Sequence, residues 1–142
     1  MAAQQRTNHI RYIPLWHLFT SLAIFALLVG SLINLFHSAK ENLYSASLLV
    51  LVAAIFLSVF WYARWFALRA QDRAIRAEEN LRHFALTGKL LDKRLRLGQV
   101  IALRFASDEE FITLAQKAAE ENLRSKEIKM IIKEWRADHH RV

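Results

Sequence analysis

A stretch from Leu43 to about Leu86 contains neither Gly nor Pro, and no other feature of the sequence constrains the fold as strongly. Apolar residues recur along it at intervals of three and four. The series is Ala46, Leu49, Ala53, Phe56, Phe60, Ala63, Ala67, Ala70, Ala74, Ala77, Leu81 and Phe84. A narrow apolar stripe with a seven-residue period is typical of a helix that packs along a second helix. We call this stripe the seam, and its five consecutive alanines would let a second helix approach closely.

The stretch changes character halfway along its length. Residues 43–63 are 21 residues without a charge, which is long enough to cross a lipid bilayer. After Ala63 most positions off the seam are charged or polar, which places this half in water. We therefore predict one continuous helix that leaves the membrane and ends at Thr87-Gly88, with Gly88 as a left-handed cap.

A second uncharged apolar run, Tyr12 to Phe36, precedes this helix and can also span a bilayer. The six residues from His37 to Asn42 connect the two runs, which predicts an antiparallel transmembrane hairpin. Lys and Arg are unevenly placed around the spans: Arg6 and Arg11 before the first, Lys40 between them, four Arg after the second. The excess of positive charge on the cytoplasmic side of membrane proteins predicts that both termini are cytoplasmic.

Aromatic residues and arginines mark the predicted membrane surface. The aromatic residues are Tyr12, Trp16, Trp61, Tyr62 and Trp65, of the types that lie at headgroup level. The arginines are Arg64, Arg69, Arg73 and Arg76. We predict that they contact anionic lipid headgroups, at about 1 kcal/mol each near a charged leaflet. The alternative is that they only fix the topology.

The remainder of the chain predicts a small helical domain. After a basic connector, Lys89 to Arg96, a short helix should cover Leu97 to Phe105. Ser107 and Glu110 form a capping-box pattern that opens a helix to about Asn122, and Ser125 is expected to cap a last one. The last two helices should pack through Phe111, Ala115, Ile128, Ile131, Ile132 and Trp135. The predicted fold is all-α: a 1–11 cytoplasmic tail, a 12–63 transmembrane hairpin, a 64–88 cytoplasmic helix extension and an 89–142 cytoplasmic helical domain.

Residues capable of chemistry are few. The absence of Cys excludes disulfides and thiol catalysis. Glu134, Asp138, His139 and His140 could ligate a metal, but adjacent histidines on a helix point about 100° apart, so a solvated tail is the preferred interpretation. Glu79 and His83 are spaced as a surface pair. We predict no catalytic, cofactor-binding or metal-binding residue.

Three segments carry a family resemblance: Gln71 to Phe84, Ile101 to Phe111, and Trp135 to Arg141. With the two predicted spans, they resemble an uncharacterised bacterial family of small two-span membrane proteins. Some members of that family are labelled transporter permease. The resemblance covers nearly the whole chain and implies no known activity.

The function predicted from these features is a non-enzymatic protein of the bacterial inner membrane that self-associates and acts as a scaffold or interaction module. Its predicted partners are anionic lipid, further copies of itself and an unidentified cytoplasmic or membrane protein. An oligomeric channel or transport-associated subunit is the alternative, and a metal-dependent enzyme or hydrolase is a third hypothesis. Nucleic acid is not expected, because residues 97–142 carry eight basic and eight acidic residues.

Overall fold

The computed structural model describes residues 12–138, so the predicted N-terminal tail and His139 and His140 lie outside the described residues. Every regular element in this range is a helix, and one isolated antiparallel bridge joins Ala106 to Trp135. The helices are α1 (Ser21–His37), α2 (Leu43–Thr87), α3 (Leu97–Leu103), α4 (Asp108–Glu120) and α5 (Ser125–Ile131). A π-helical turn, Leu15–Thr20, precedes α1, and a 3₁₀ turn, Lys40–Asn42, precedes α2. The prediction of an all-helical chain with two long apolar helices is confirmed.

Helix α2 is continuous and agrees with its predicted extent to within one residue. Gly88 follows it with a φ of +71°, and its N–H donates to the carbonyl of Phe84 at 2.7 Å. A left-handed residue of this kind ends a helix readily when it is glycine, because glycine has no Cβ to oppose the positive φ.

The described residues divide into two compact units. The first unit covers residues 12–67 and the second covers 68–138. Two stretches, Leu15–His37 and Lys40–Thr87, are long and apolar enough to cross a membrane.

Within the first unit, three members of the seam lie on one face of α2 at seven-residue spacing: Ala46, Ala53 and Phe60. The two alanines are fully buried, and Phe60 stacks on Trp16 with 4.5 Å between the ring centroids. Since Trp16 precedes α1, this contact brings the start of the first apolar stretch beside the middle of the second. Small side chains at the other two positions allow close packing.

In the second unit α3, α4 and α5 enclose one apolar core. Its fully buried members include Val100, Leu103, Phe111, Ala118 and Ile128. Burying each of the four larger side chains stabilises the folded state by about 1.5–3 kcal/mol relative to leaving it exposed. Both predicted helices therefore exist, although they are shorter than their periodicity suggested, and each packs mainly on α3 rather than on the other. Ile131 is 39% exposed and does not take part in the predicted contact.

Three expectations for the second unit are wrong. The residue that caps α5 is Arg124, and Ser125 is the first residue of the helix. Helix α5 ends at Ile131, so Trp135 lies beyond it, where it pairs with Ala106 and stacks on Phe105 at 4.4 Å between centroids. The capping box at Ser107 is absent, because the Ser107 side chain makes no capping hydrogen bond. The carboxylate of Glu110 instead accepts hydrogen bonds from the backbone N–H groups of Lys133 and Glu134, at 3.1 and 3.3 Å.

Candidate functional site

The second half of α2 presents two different faces, and the helices that follow it pack on only one of them. Ile75 and Glu79 are buried on that face, each about 6% exposed. One turn further, Arg82 donates to Asp108 at 2.7 Å and to the carbonyl of Ala106 at 2.8 Å. This face of α2 therefore belongs to the interior of the second unit.

Asn80 and His83 extend the same attachment to the connector after α2. The Asn80 Oδ1 atom accepts the backbone N–H of Leu91 at 2.9 Å. The His83 Nδ1 atom lies 2.7 Å from the carbonyl oxygen of Lys89, and its ring meets Phe111 edge to face. The predicted surface pair of Glu79 with His83 is wrong, because Glu79 is buried and pairs with Arg82 at 3.0 Å.

The second half of the seam lies on the other face. Its seven members are Ala63, Ala67, Ala70, Ala74, Ala77, Leu81 and Phe84, and all except the partly buried Ala67 are exposed. Leu81 is 67% exposed and Phe84 50%. At about 100° per residue, Ala70 stands roughly 140° around the helix from Ile75. Within the second unit, the C-terminal helices therefore leave the seam uncovered at Ala70, Ala74, Ala77, Leu81 and Phe84.

The members of the first half of the seam lie in two rows along α2, each with seven-residue spacing. The row that is buried or partly buried contains Ala46, Ala53 and Phe60, as described above. The other row contains Leu49 and Phe56, which are about half exposed. The sequence predicted a single seam, whereas in the folded chain one row of its first half is already covered by other residues of the first unit.

Three of the four predicted lipid-contacting arginines share a face of α2. Arg69, Arg73 and Arg76 are spaced by four and three residues and are exposed. Arg64 lies about 120–180° away from them around the helix and is partly buried. The structure therefore groups three of these cations and separates the fourth.

The aromatic residues predicted for the membrane surface fall into two groups in the first unit. Tyr62 and Trp65 pack with Phe66, whose ring lies 5.8 Å from Tyr62 and 5.2 Å from Trp65. Trp61 is exposed. Tyr12 stacks on His17 at 5.0 Å, and Trp16 contacts Phe60 as described.

A cleft of about 380 Å³ lies beside the exposed face, between α2 and the last described residues. Its lining includes Gln71, Ala74, Glu78, Arg104 and Arg136. The Arg104 side chain is buried and lies 3.3 Å from the carboxylate of Asp138. This cleft is not predictable from the sequence, because nothing local to Arg104 indicates that a residue 34 positions later will pair with it.

A family of unknown function, DUF6526, matches residues 1–142. The chain belongs to this family. No curated protein and no solved structure matches it. The match covers both units, so the long helix and the C-terminal helices together fall within the DUF6526 sequence pattern. This agrees with the resemblance to an uncharacterised family and adds no activity.

Among residues 12–138, no three His, Asp or Glu side chains come together in a group able to hold a metal ion. The exposed half of the seam combines five alanines with two large apolar side chains. Large apolar side chains that are exposed together on a protein surface are a common mark of a protein-binding surface.

Proposed function

We propose that this DUF6526 protein is a non-enzymatic scaffold of the bacterial inner membrane that self-associates through the second half of its seam. One observation carries the proposal: Leu81 and Phe84 are exposed beside Ala70, Ala74 and Ala77, while the following helices pack elsewhere on α2. A second copy of α2 fits this surface, because the small residues permit close approach and the seven-residue period matches along the whole contact.

The membrane part of the proposal has its own support. The two long apolar stretches are joined by a short turn, and the Trp16–Phe60 contact favours a hairpin. Both termini then lie on one side, and the distribution of Lys and Arg places that side in the cytoplasm. Arg69 and Arg76 would lie near the cytoplasmic leaflet, where anionic headgroups attract them.

The alternative of an oligomeric channel has less support. A groove of about 700 Å³ lies on the apolar part of α2, and it is lined by Leu51, Ala54, Ile55, Ser58, Val59, Tyr62, Ala63 and Phe66. Charged residues are missing from this lining, and ion paths usually require charged or polar groups. Flux measurements on liposomes containing the purified protein test this alternative directly.

Self-association is tested by the mass of the intact particle. Multi-angle light scattering of the full chain in a mild detergent should show a multimer for the wild type. Ala70→Glu should reduce it to a monomer, because the substitution places a charge in a tight apolar contact. Arg76→Glu is the matched control: it introduces the same side chain on an exposed position of the same helix, away from the seam. A monomeric wild type would refute the proposal.

A further inference from the structure

The positions that flank the seam carry charges of opposite sign. In a heptad description of α2, Ala74 and Leu81 occupy position a, and Ala70 and Ala77 occupy position d. Arg73 then falls at position g, directly before an a residue, and Glu78 at position e, directly after a d residue. The two side chains therefore border the apolar stripe on opposite sides.

Arg73 and Glu78 are both available for contact with another molecule. Both are exposed, and neither forms an ion pair with another described residue. Charges at e and g set the choice of partner and the relative orientation of helices in coiled coils. In a parallel, in-register pair, a g residue faces the e residue of the next heptad in the other helix. Arg73 would therefore face Glu78 of the partner subunit, twice by symmetry.

The remaining flanking residues do not oppose this arrangement. Phe66 at g would face Gln71 of the partner subunit, and Asn80 at g would face Ala85 of the partner subunit. An antiparallel pair places g against g and e against e. Arg73 at g and Glu78 at e therefore cannot face each other in an antiparallel pair, so only the parallel orientation gains these ion pairs.

We infer that a second copy of this chain docks on the exposed half of the seam in parallel and in register, and that ion pairs between Arg73 and Glu78 select this arrangement. The inference rests on the proposed self-association and specifies its geometry.

The position of the cleft gives this arrangement a further consequence. Glu78 lines the rim of the cleft with Gln71, Arg104 and Arg136. Docking would therefore bring the partner subunit's Arg73 to that rim.

Charge exchange in the full-length protein tests the pairing. Arg73→Glu and Glu78→Arg each turn two attractive contacts into two repulsive ones, so each should raise the dissociation constant of the pair by about tenfold or more. Mixing the two single variants should restore association, since each opposed pair is then of opposite sign. The double variant should associate with itself but not with the wild type, as co-purification of differently tagged chains would show.

Cross-linking tests the register. The chain contains no Cys, so Ala77→Cys introduces the only thiol. In a parallel, in-register pair, equivalent d positions meet at the symmetry axis within reach of a disulfide, which requires Cα atoms roughly 4.4–6.8 Å apart. Mild oxidation should cross-link Ala77→Cys chains, while Arg76→Cys, an exposed position off the seam, should not cross-link.

The outcomes separate the inference from the function on which it rests. A monomeric wild type overturns both. A multimeric wild type whose dissociation constant does not respond to either charge substitution overturns the inference alone. A multimer in which Ala77→Cys fails to cross-link does the same, since another surface or register then holds the copies together. Arg76→Glu, which leaves the paired charges intact, should associate like the wild type.

Discussion

The Nη2 atom of Arg82 lies 2.6 Å from the Oδ1 atom of Asp108, and this ion pair joins α2 to the first residue of α4. The same guanidinium contacts Glu79 at 3.0 Å and lies 4.3 Å from the centroid of the Phe111 ring. One side chain of the long helix therefore meets charged, polar and aromatic groups of the second unit together. As a result, the second half of α2 is a structural part of that unit.

We expect Arg82→Ala to lower the free energy of unfolding by about 3 kcal/mol, because it leaves the buried carboxylate of Glu79 without its partner. Arg82→Lys should recover only part of this, since one ammonium cannot reach Glu79, Asp108 and the Ala106 carbonyl at once. Thermal unfolding followed by circular dichroism is the measurement. Arg76→Ala, exposed on the same helix, should change stability by less than about 0.5 kcal/mol. Equal effects of Arg82→Ala and Arg76→Ala would contradict the interpretation.

Gln99 is the second predicted determinant of stability. Its buried amide donates to the carbonyls of Ala118 and Leu123 at 3.1 and 2.8 Å and accepts the N–H of Arg96 at 2.7 Å. Gln99→Ala leaves these buried backbone groups without partners. Each unpaired group should lower the free energy of unfolding by roughly 1–3 kcal/mol when no water replaces the amide. A melting temperature that stays at the wild-type value would show that water takes the place of the amide. Gln116→Ala, on the exposed side of α4, is the control.

Trp135 stabilises the C-terminal segment through its stacking on Phe105. Since Trp135 is only partly buried, we expect Trp135→Ala to cost about 2 kcal/mol, below the roughly 3–5 kcal/mol typical of a fully buried aromatic residue. Trp135→Phe keeps the ring contact and should retain most of the stability. Denaturant titration of the two variants decides the matter: similar losses in both would show that the stacking is not the source of the stabilisation.

The pKa of Asp92 reports on the connector after α2. Side-chain and backbone hydrogen bonds from Arg94 lower this pKa from 3.8 to about 2. The ionised Asp92 carboxylate therefore contributes fully to the stability of the folded state above pH 3.8, and this contribution is lost as the pH falls through about 2. Arg94→Gln should return the pKa towards 3.8, as an NMR titration of the carboxyl group can measure. Lys93→Gln should leave it unchanged.

Topology can be read from reporter fusions. A reporter active only in the periplasm should stay silent when fused after Val142 and should work when inserted at Ala39, between the two apolar helices. The reverse result would overturn the cytoplasmic placement of the C-terminus and the proposed contacts of Arg69 and Arg76 with the inner leaflet.

Local features of the sequence predicted the helices well and the contacts between them poorly. The extent of α2 follows from an unbroken run of helix-compatible residues and a glycine stop, both of which act within a few residues. The predicted extent of α5 is wrong, because the apolar spacing continues to Trp135 whereas the backbone leaves the helix at Ile132. Beyond the helix, the Arg136 N–H donates to the Phe105 carbonyl, a partner that helical periodicity does not reveal.

The sequence alone determined that α2 is one long helix with an apolar stripe along it, since a seven-residue period is a property of neighbouring residues. Only the tertiary structure decided which part of that stripe is occupied. Contacts such as Arg82–Asp108 join residues 26 positions apart, and they depend on the path of the chain through α3. Those contacts hold the C-terminal helices on the face of α2 that carries Ile75. Leu81 and Phe84, on the other face, therefore stay exposed.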